Sequence, residues 1–133
     1  MKLSIHLIQL QHMYVAIDIG ATKTELGIFR NQDPLSRVDS IVFSTEKQYE
    51  KGKEAITRVL SEKSYGDVEG IGVSLPGVVT EQGEIVQTSN IPDYESKPLK
   101  EVLHTQFHAP VRMVQDAACA ALAEYLYGNI RHF

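Results

Sequence analysis

Three short β-prone apolar stretches crowd the front of the chain, and the connections between them are too short to hold a crossover helix. Tyr14-Val15-Ala16-Ile17 runs into Asp18-Ile19-Gly20, and Leu26-Gly27-Ile28-Phe29 follows Thr22-Lys23-Thr24. Val38, Ile41, Val42 and Phe43 come after the turn cluster Asn31-Gln32-Asp33-Pro34. Parallel neighbours need a dozen or more residues to cross over, so these strands read as an antiparallel meander.

After residue 43 the periodicity changes. Ser44-Thr45 opens a helix, with Thr45 and Gln48 at capping-box spacing. Tyr49, Ala55, Ile56, Val59 and Leu60 recur at helical intervals while charged residues fill the other faces, and Gly66 ends the element. Ile71-Gly72-Val73-Ser74-Leu75 is the next strand, stopped by Pro76-Gly77, where a type II turn would give Gly77 a positive φ. Gln82-Gly83 marks a hairpin between Val78-Val79 and Ile85-Val86, and Ile91-Pro92-Asp93-Tyr94 reads as loop. Pro98 starts a second helix with Leu99, Val102, Leu103 and Phe107 on one face, and Val111–Val114 is a final strand. Asp116 stands where that strand turns into a third helix, Ala117–Tyr127, which is apolar nearly all round except at Glu124, with Gly128 placed to cap it. The order β-β-β-α-β-(hairpin)-α-β-α predicts an α/β fold with a mixed central sheet and helices on both faces.

Composition narrows the partners. At 133 residues the chain is one domain, and 43% hydrophobic with 23% charged residues suits a globular protein. Thirteen Lys and Arg against 17 Asp and Glu give a net charge of −4, so the basic field needed for nucleic acid or a membrane surface is missing. One cysteine, Cys119, excludes an internal disulfide and a multi-cysteine metal site and fits a reducing cytoplasm; inside the apolar third helix it reads as a buried thiol. No run approaches the ~20 apolar residues that span a bilayer. In the extension 1–13, Ser4, His6, Gln9 and Gln11 interrupt the apolar stretch, which argues against a secretion signal. Two readings stay open there: an extra edge strand, since Leu3, Ile5 and Leu7 alternate, or a loose extension upstream of a natural start at Met13.

The chemistry concentrates in two places. In Asp18-Ile19-Gly20-Ala21-Thr22-Lys23-Thr24, small Gly20 and Ala21 let backbone N–H groups approach an anion. Thr22 and Thr24 add hydroxyls, Lys23 a cation and Asp18 a carboxylate suited to hydrated Mg²⁺. It is not a Walker A loop, and an ordinary hairpin remains the alternative. Asp116, between a strand and a helix, is either a helix cap or a catalytic base at the crevice edge where α/β sheets bind ligands. The glycines of Gly70-Ile71-Gly72 precede a strand, a poor dinucleotide motif, and His104 with His108 lack a third ligand.

Taken in order, Asp18-Ile19-Gly20-Ala21-Thr22-Lys23, Val73-Ser74-Leu75-Pro76-Gly77, Asn90-Ile91-Pro92 with Pro98-Leu99, and Asp116-Ala117-Ala118-Cys119-Ala120-Ala121-Leu122-Ala123-Glu124 resemble the amino-terminal lobe of the ROK family of repressors, open reading frames and sugar kinases. The resemblance covers Tyr14 to about Gly128. It implies a ribonuclease-H-like, actin-like ATPase lobe over 14–128 and, with ATP and Mg²⁺ as cofactors, phosphorylation of a sugar hydroxyl, as in bacterial glucokinases and N-acetylmannosamine kinases. It puts Asp18, Gly20, Ala21, Thr22 and Lys23 beside the ATP phosphates and Mg²⁺, makes Asp116 the catalytic base, and sets Gly77, Ser89, Asn90 and Gln115 along the sugar pocket.

Three departures bear on activity. Gln115-Asp116-Ala117-Ala118 stands where the family usually has Asn-Asp-Ala-Asn, and Ala21 replaces the loop's second glycine. Family kinases are also roughly twice as long, the missing half carrying the second phosphate loop, the adenosine pocket, further sugar ligands and often a zinc site. Residues 129–133 therefore read as the start of the connection to a second lobe, and the chain as a detached lobe unable to close a cleft by itself. A sugar-sensing regulatory module and an interaction domain on the same scaffold are the alternatives. The apolar third helix, left uncovered, predicts self-association into a homo-oligomer.

Overall fold

The computed structural model describes residues 13–31, 34–62 and 67–115. Among the described residues, seven strands and two α-helices follow in the order β1 (Met13–Ile19), β2 (Lys23–Phe29), β3 (Arg37–Ser44), α1 (Tyr49–Glu62), β4 (Val68–Leu75), β5 (Gly77–Val79), β6 (Ile85–Thr88), α2 (Leu99–Phe107) and β7 (Val111–Gln115). Short 3₁₀ turns cover Pro34–Ser36 and Pro92–Tyr94. The third helix expected at 117–127, with Cys119 and Gly128, lies outside the described residues, as do Gly66 and residues 1–12 of the extension expected at 1–13, whose last residue, Met13, opens β1.

The main sheet has five strands in the order β3-β2-β1-β4-β7. β1 pairs antiparallel with β2, and β2 with β3, which is the meander the short connections predict. β4 lies parallel to β1 and β7 parallel to β4. The hairpin β5–β6 forms a separate two-stranded sheet, and β5 packs against β7.

One face of the five-stranded sheet makes the core. Val15, Ile17 and Ile19 of β1 alternate inward, joined by Leu26, Ile71, Val73, Leu75, Val111 and Met113 from neighbouring strands. Against them lie Tyr49, Ile56 and Leu60 of α1 and Leu99 and Leu103 of α2, in one continuous cluster. Leu99 and Leu103 are completely buried, and each contributes about 1.5–3 kcal/mol on transfer from water. Both described helices thus cover the same face. The other carries Asp18, Glu25, Ser74 and Arg112, the positions that alternate with the core set.

Two helix signals resolve differently from the sequence expectation. Ser44 ends β3, and Thr45 does not cap α1. The first amide of α1, Tyr49 N–H, instead donates at 2.8 Å to the carboxylate of Asp93 in the second 3₁₀ turn. A capping side chain need only be near in space, so one supplied by a residue 44 positions away leaves no local spacing to read. Gly52 sits inside α1, where glycine costs about 1 kcal/mol relative to alanine. The Tyr94 ring explains it: a Cβ at Gly52 would lie 1.8 Å from the phenol oxygen.

Pro76-Gly77 also departs from expectation. Gly77 opens β5, and among the described residues Gly83 is the only glycine with positive φ, at the β5–β6 tip where the sequence places a hairpin turn. Gly77 is required by close approach instead, since a Cβ there would meet the Gln87 carbonyl oxygen at 2.0 Å.

Candidate active site at the carboxyl edge of the sheet

The parallel strands β1, β4 and β7 end level with one another. Asp18 is registered with Ser74, Ser74 with Val114, and Leu75 with Gln115. Neighbouring strands are ~4.8 Å apart, so β1 and β7 are separated by about 10 Å with β4 between them. Asp116 lies outside the described residues; the strand it follows ends on the same edge as the Gly20 turn.

Asp18 is exposed, and one carboxylate oxygen accepts a hydrogen bond from the fully buried Ser74 hydroxyl at 2.8 Å. The second oxygen takes no hydrogen bond among the described residues. A carboxylate oriented on one oxygen and open on the other fits Mg²⁺, which binds through one or two carboxylates while keeping waters and phosphate oxygens. Among the described residues no group of three or more His, Cys, Asp or Glu could hold a metal.

The turn after β1 is built to present its amides. Gly20 N–H donates to the Lys23 carbonyl at 2.9 Å, and a Cβ at Gly20 would lie 2.8 Å from that same oxygen. The carbonyls of Gly20, Ala21 and Thr22 are all taken from one side: the first by the Thr45 hydroxyl at 2.8 Å, the second by the Lys47 ammonium, the third by Thr45 N–H at 2.9 Å. In a trans peptide the N–H points opposite the preceding C=O. The N–H groups of Ala21 and Thr22 therefore turn away from residues 45–47, and neither has a partner among the described residues. Consecutive free amides of this kind can receive an anion, and the exposed side chains of Thr22 and Lys23 add a hydroxyl and a cation. Gly20 thus contributes space rather than a donor. Thr24 is removed from the expected donor set: it is 2% exposed, and its hydroxyl bonds that of Thr45 at 2.9 Å.

The residues expected along a sugar pocket fall in two connected places. Gly77 pairs with Thr88, which directly precedes the exposed Ser89 and Asn90. Thr88 N–H donates to the Glu95 carboxylate at 2.9 Å, whereas the buried Thr88 hydroxyl has no partner among the described residues. Gln115 enters through its backbone position at the end of β7.

Sequence reasoning missed the residues that support these loops. Thr45 and Lys47 carry the Gly20 turn, although Thr45 with Gln48 reads as a helix start and Lys47 as a charged position on that helix. Asp93 and Tyr94 read as loop, yet Tyr94 is 1% exposed and its hydroxyl donates to the Glu46 carbonyl at 2.8 Å. Burial, followed by the charges of Glu46 and Asp93, pushes the Tyr94 phenol up to about 12. Asp93 is held below the ordinary carboxyl value, first by the Tyr49 N–H it accepts and also by Lys97. A proline before Asp-Tyr was the available signal, and it says only that a turn occurs.

The mixed five-stranded sheet, with its parallel strands ending at this edge, has the actin-like ATPase fold of its structural neighbours. A model of the ROK family matches residues 14–132, and the chain belongs to that family. It is 33% identical over 114 residues to an N-acetyl-D-glucosamine kinase of Citrobacter koseri, a match covering 84% of this chain and 37% of the relative. The chain spans little more than a third of the length of such relatives. Among solved structures, the ROK family glucokinase of Streptomyces griseus, in complex with glucose and AMPPNP, is 26% identical with a TM-score of 0.73, over 90% of this chain and 38% of its own. A putative N-acetylmannosamine kinase of Listeria monocytogenes is 29% identical with a TM-score of 0.73, over 87% and 39%. Among the described residues no helix is long and apolar enough to cross a membrane.

Proposed function

We propose that residues 14–128 are the amino-terminal lobe of an ATP-dependent sugar kinase acting in the cytoplasm on a hexose or N-acetylhexosamine, and that the lobe does not turn over alone. The observation that carries this reading is the level ending of β1 and β7, which sets the free amides of the Gly20 turn across one strand from the chain that leads to Asp116. Ala21 and Thr22 amides with Lys23 receive the phosphates, and Asp18 holds Mg²⁺. When bound, the metal offsets charge on the transferring phosphoryl group. Gly77, Ser89, Asn90 and Gln115 orient the sugar, and Asp116 accepts the proton of the attacking hydroxyl. Phosphoryl transfer is chiefly positioning and charge stabilisation, so a half-site can bind but not complete the reaction. The N-acetyl-D-glucosamine kinase and the glucokinase matched over this region act on sugars, which supports the substrate class.

The test joins this chain to the remaining carboxyl-terminal portion of the Citrobacter koseri relative and follows ADP release with glucose, N-acetylglucosamine and N-acetylmannosamine. Turnover should appear with at least one sugar and fall by ~10²–10⁴-fold in Asp116→Asn. A folded fusion that binds Mg·ATP without Asp116-dependent turnover would overturn the reading.

A further inference from the structure

The two halves of the candidate site are not held separately. Residues 45–49 grip the Gly20 turn through the Thr45 hydroxyl, Thr45 N–H and the Lys47 ammonium. The same five residues are gripped from the other side by the turn at 92–95. Tyr94 donates to the Glu46 carbonyl at 2.8 Å, and Asp93 accepts from Tyr49 N–H at 2.8 Å. One residue further on, Glu95 accepts from Thr88 N–H at 2.9 Å, immediately before Ser89 and Asn90.

We propose that residues 45–49 and 92–95 form one hydrogen-bonded strap coupling the phosphate turn to the sugar segment, with Tyr94 and Glu95 as its positioning residues. This rests on the sugar-kinase reading for the identity of the two ends, though not for the existence of the coupling. Three observations carry it. The links are consecutive, so no stretch of free chain interrupts the path from Ala21 to Asn90. The central link has displaced ordinary helix sequence, because Gly52 leaves the space that the Tyr94 phenol occupies. At the sugar end the buried Thr88 hydroxyl has no partner among the described residues, so within them the strap stops at a polar group still able to accept or donate. Each loop constrains the other because residues 45–49 cannot shift toward one without stretching bonds to the other. A sugar hydroxyl engaging Ser89 or Asn90 would thereby bias the amides that receive phosphate, and the bias must be reciprocal.

Amide hydrogen exchange on the full 133-residue chain tests the strap without ligand. In Tyr94→Phe, the Thr45 and Thr88 amides, on opposite sides of the cut, should both exchange about fivefold faster, the equivalent of one lost hydrogen bond. Glu95→Gln keeps an acceptor and should leave Thr45 as in the parent, whereas Glu95→Ala should loosen both amides. Acceleration confined to Tyr49 and Gly52, the immediate neighbours of the phenol, would overturn the strap. In a second arm, N-acetyl-D-glucosamine is added while the Ala21 and Thr22 amide shifts are followed. If the strap passes the first arm and neither this sugar nor glucose nor N-acetylmannosamine moves either loop, the assignment of Ser89 and Asn90 to the sugar fails and the coupling stands. If the sugar moves Ser89 and Asn90 but leaves Ala21 and Thr22 unmoved, the coupling fails.

Discussion

The Gly20 turn and the 88–95 segment bond the same short stretch of chain, residues 45–49, yet they are held in different ways. The turn takes its shape from backbone: Gly20 N–H to the Lys23 carbonyl, Thr45 N–H to the Thr22 carbonyl, and a glycine where a Cβ would press on a carbonyl. The 88–95 segment is held by side chains that cross the molecule, Asp93 to the start of α1, Tyr94 to Glu46, Glu95 to Thr88. Backbone geometry written into a few adjacent residues is legible in a sequence. A side chain that caps a helix 44 residues earlier is not, because any Asp in any loop could do so.

The largest expected effect that bears on this contrast is at glycine. Gly77→Ala drives a Cβ onto the Gln87 carbonyl, a backbone atom fixed in a hairpin, and should cost about 3 kcal/mol in urea unfolding, against about 1 kcal/mol for Gly20→Ala, where the approach is 2.8 Å rather than 2.0 Å. Equal or reversed losses would mean that the Gly20 turn is the more rigid of the two.

Next comes Gly52→Ala. It should cost about 2 kcal/mol, the overpacking against the Tyr94 phenol exceeding the gain in helix propensity. Most of that loss should vanish in the Tyr94→Phe background, a non-additivity that a double-mutant cycle reads directly. Additive losses would detach Gly52 from the phenol.

Thr45→Val is smaller. It removes the hydroxyl that joins Gly20 and Thr24 and leaves the buried Thr24 hydroxyl without its partner, for a loss of about 1.5 kcal/mol by the same unfolding measurement. No loss would show that the Gly20 turn is held by its backbone bonds alone.

The smallest effect is pH-dependent. Asp93 has its ordinary value of 3.8 lowered, first by the Tyr49 N–H it accepts. A depressed native value means the folded state favours the ionised form. That contribution is complete above the ordinary carboxyl range and disappears as pH falls through the lowered value. Stability curves of the parent chain and Asp93→Ala should therefore converge at acid pH and separate toward neutrality. A gap that persists or widens in acid would assign the role of Asp93 to packing.

Much of the fold was legible because it rests on period and connection length. The alternation of Val15, Ile17 and Ile19, the short links to β2 and β3, and the Gln82-Gly83 tip all dictate local geometry. The helix start misread at Thr45 shows the limit: the hydroxyl that fits a capping box serves a turn 25 residues earlier instead. Gly77 taught the same lesson, since a glycine after proline suggests a positive φ while the structure needs only the missing Cβ. At the candidate site, Asp18 and the Gly20 turn were visible as a cluster of small, hydroxyl and charged residues. The orientation of Asp18 by Ser74 was not, because it depends on parallel pairing between strands 56 residues apart.

We propose that the amides after β1 and the end of β7 border one phosphate-binding cleft. Amide signals of the full chain, recorded with pyrophosphate and paramagnetic Mn²⁺ in place of Mg²⁺, test it most directly. Selective broadening is expected at Ala21, Thr22, Lys23 and Gln115, abolished by excess Mg²⁺ and weakened in Asp18→Asn. Broadening centred on the acidic surface of α1 at Glu50 and Glu54, indifferent to Asp18, would contradict it.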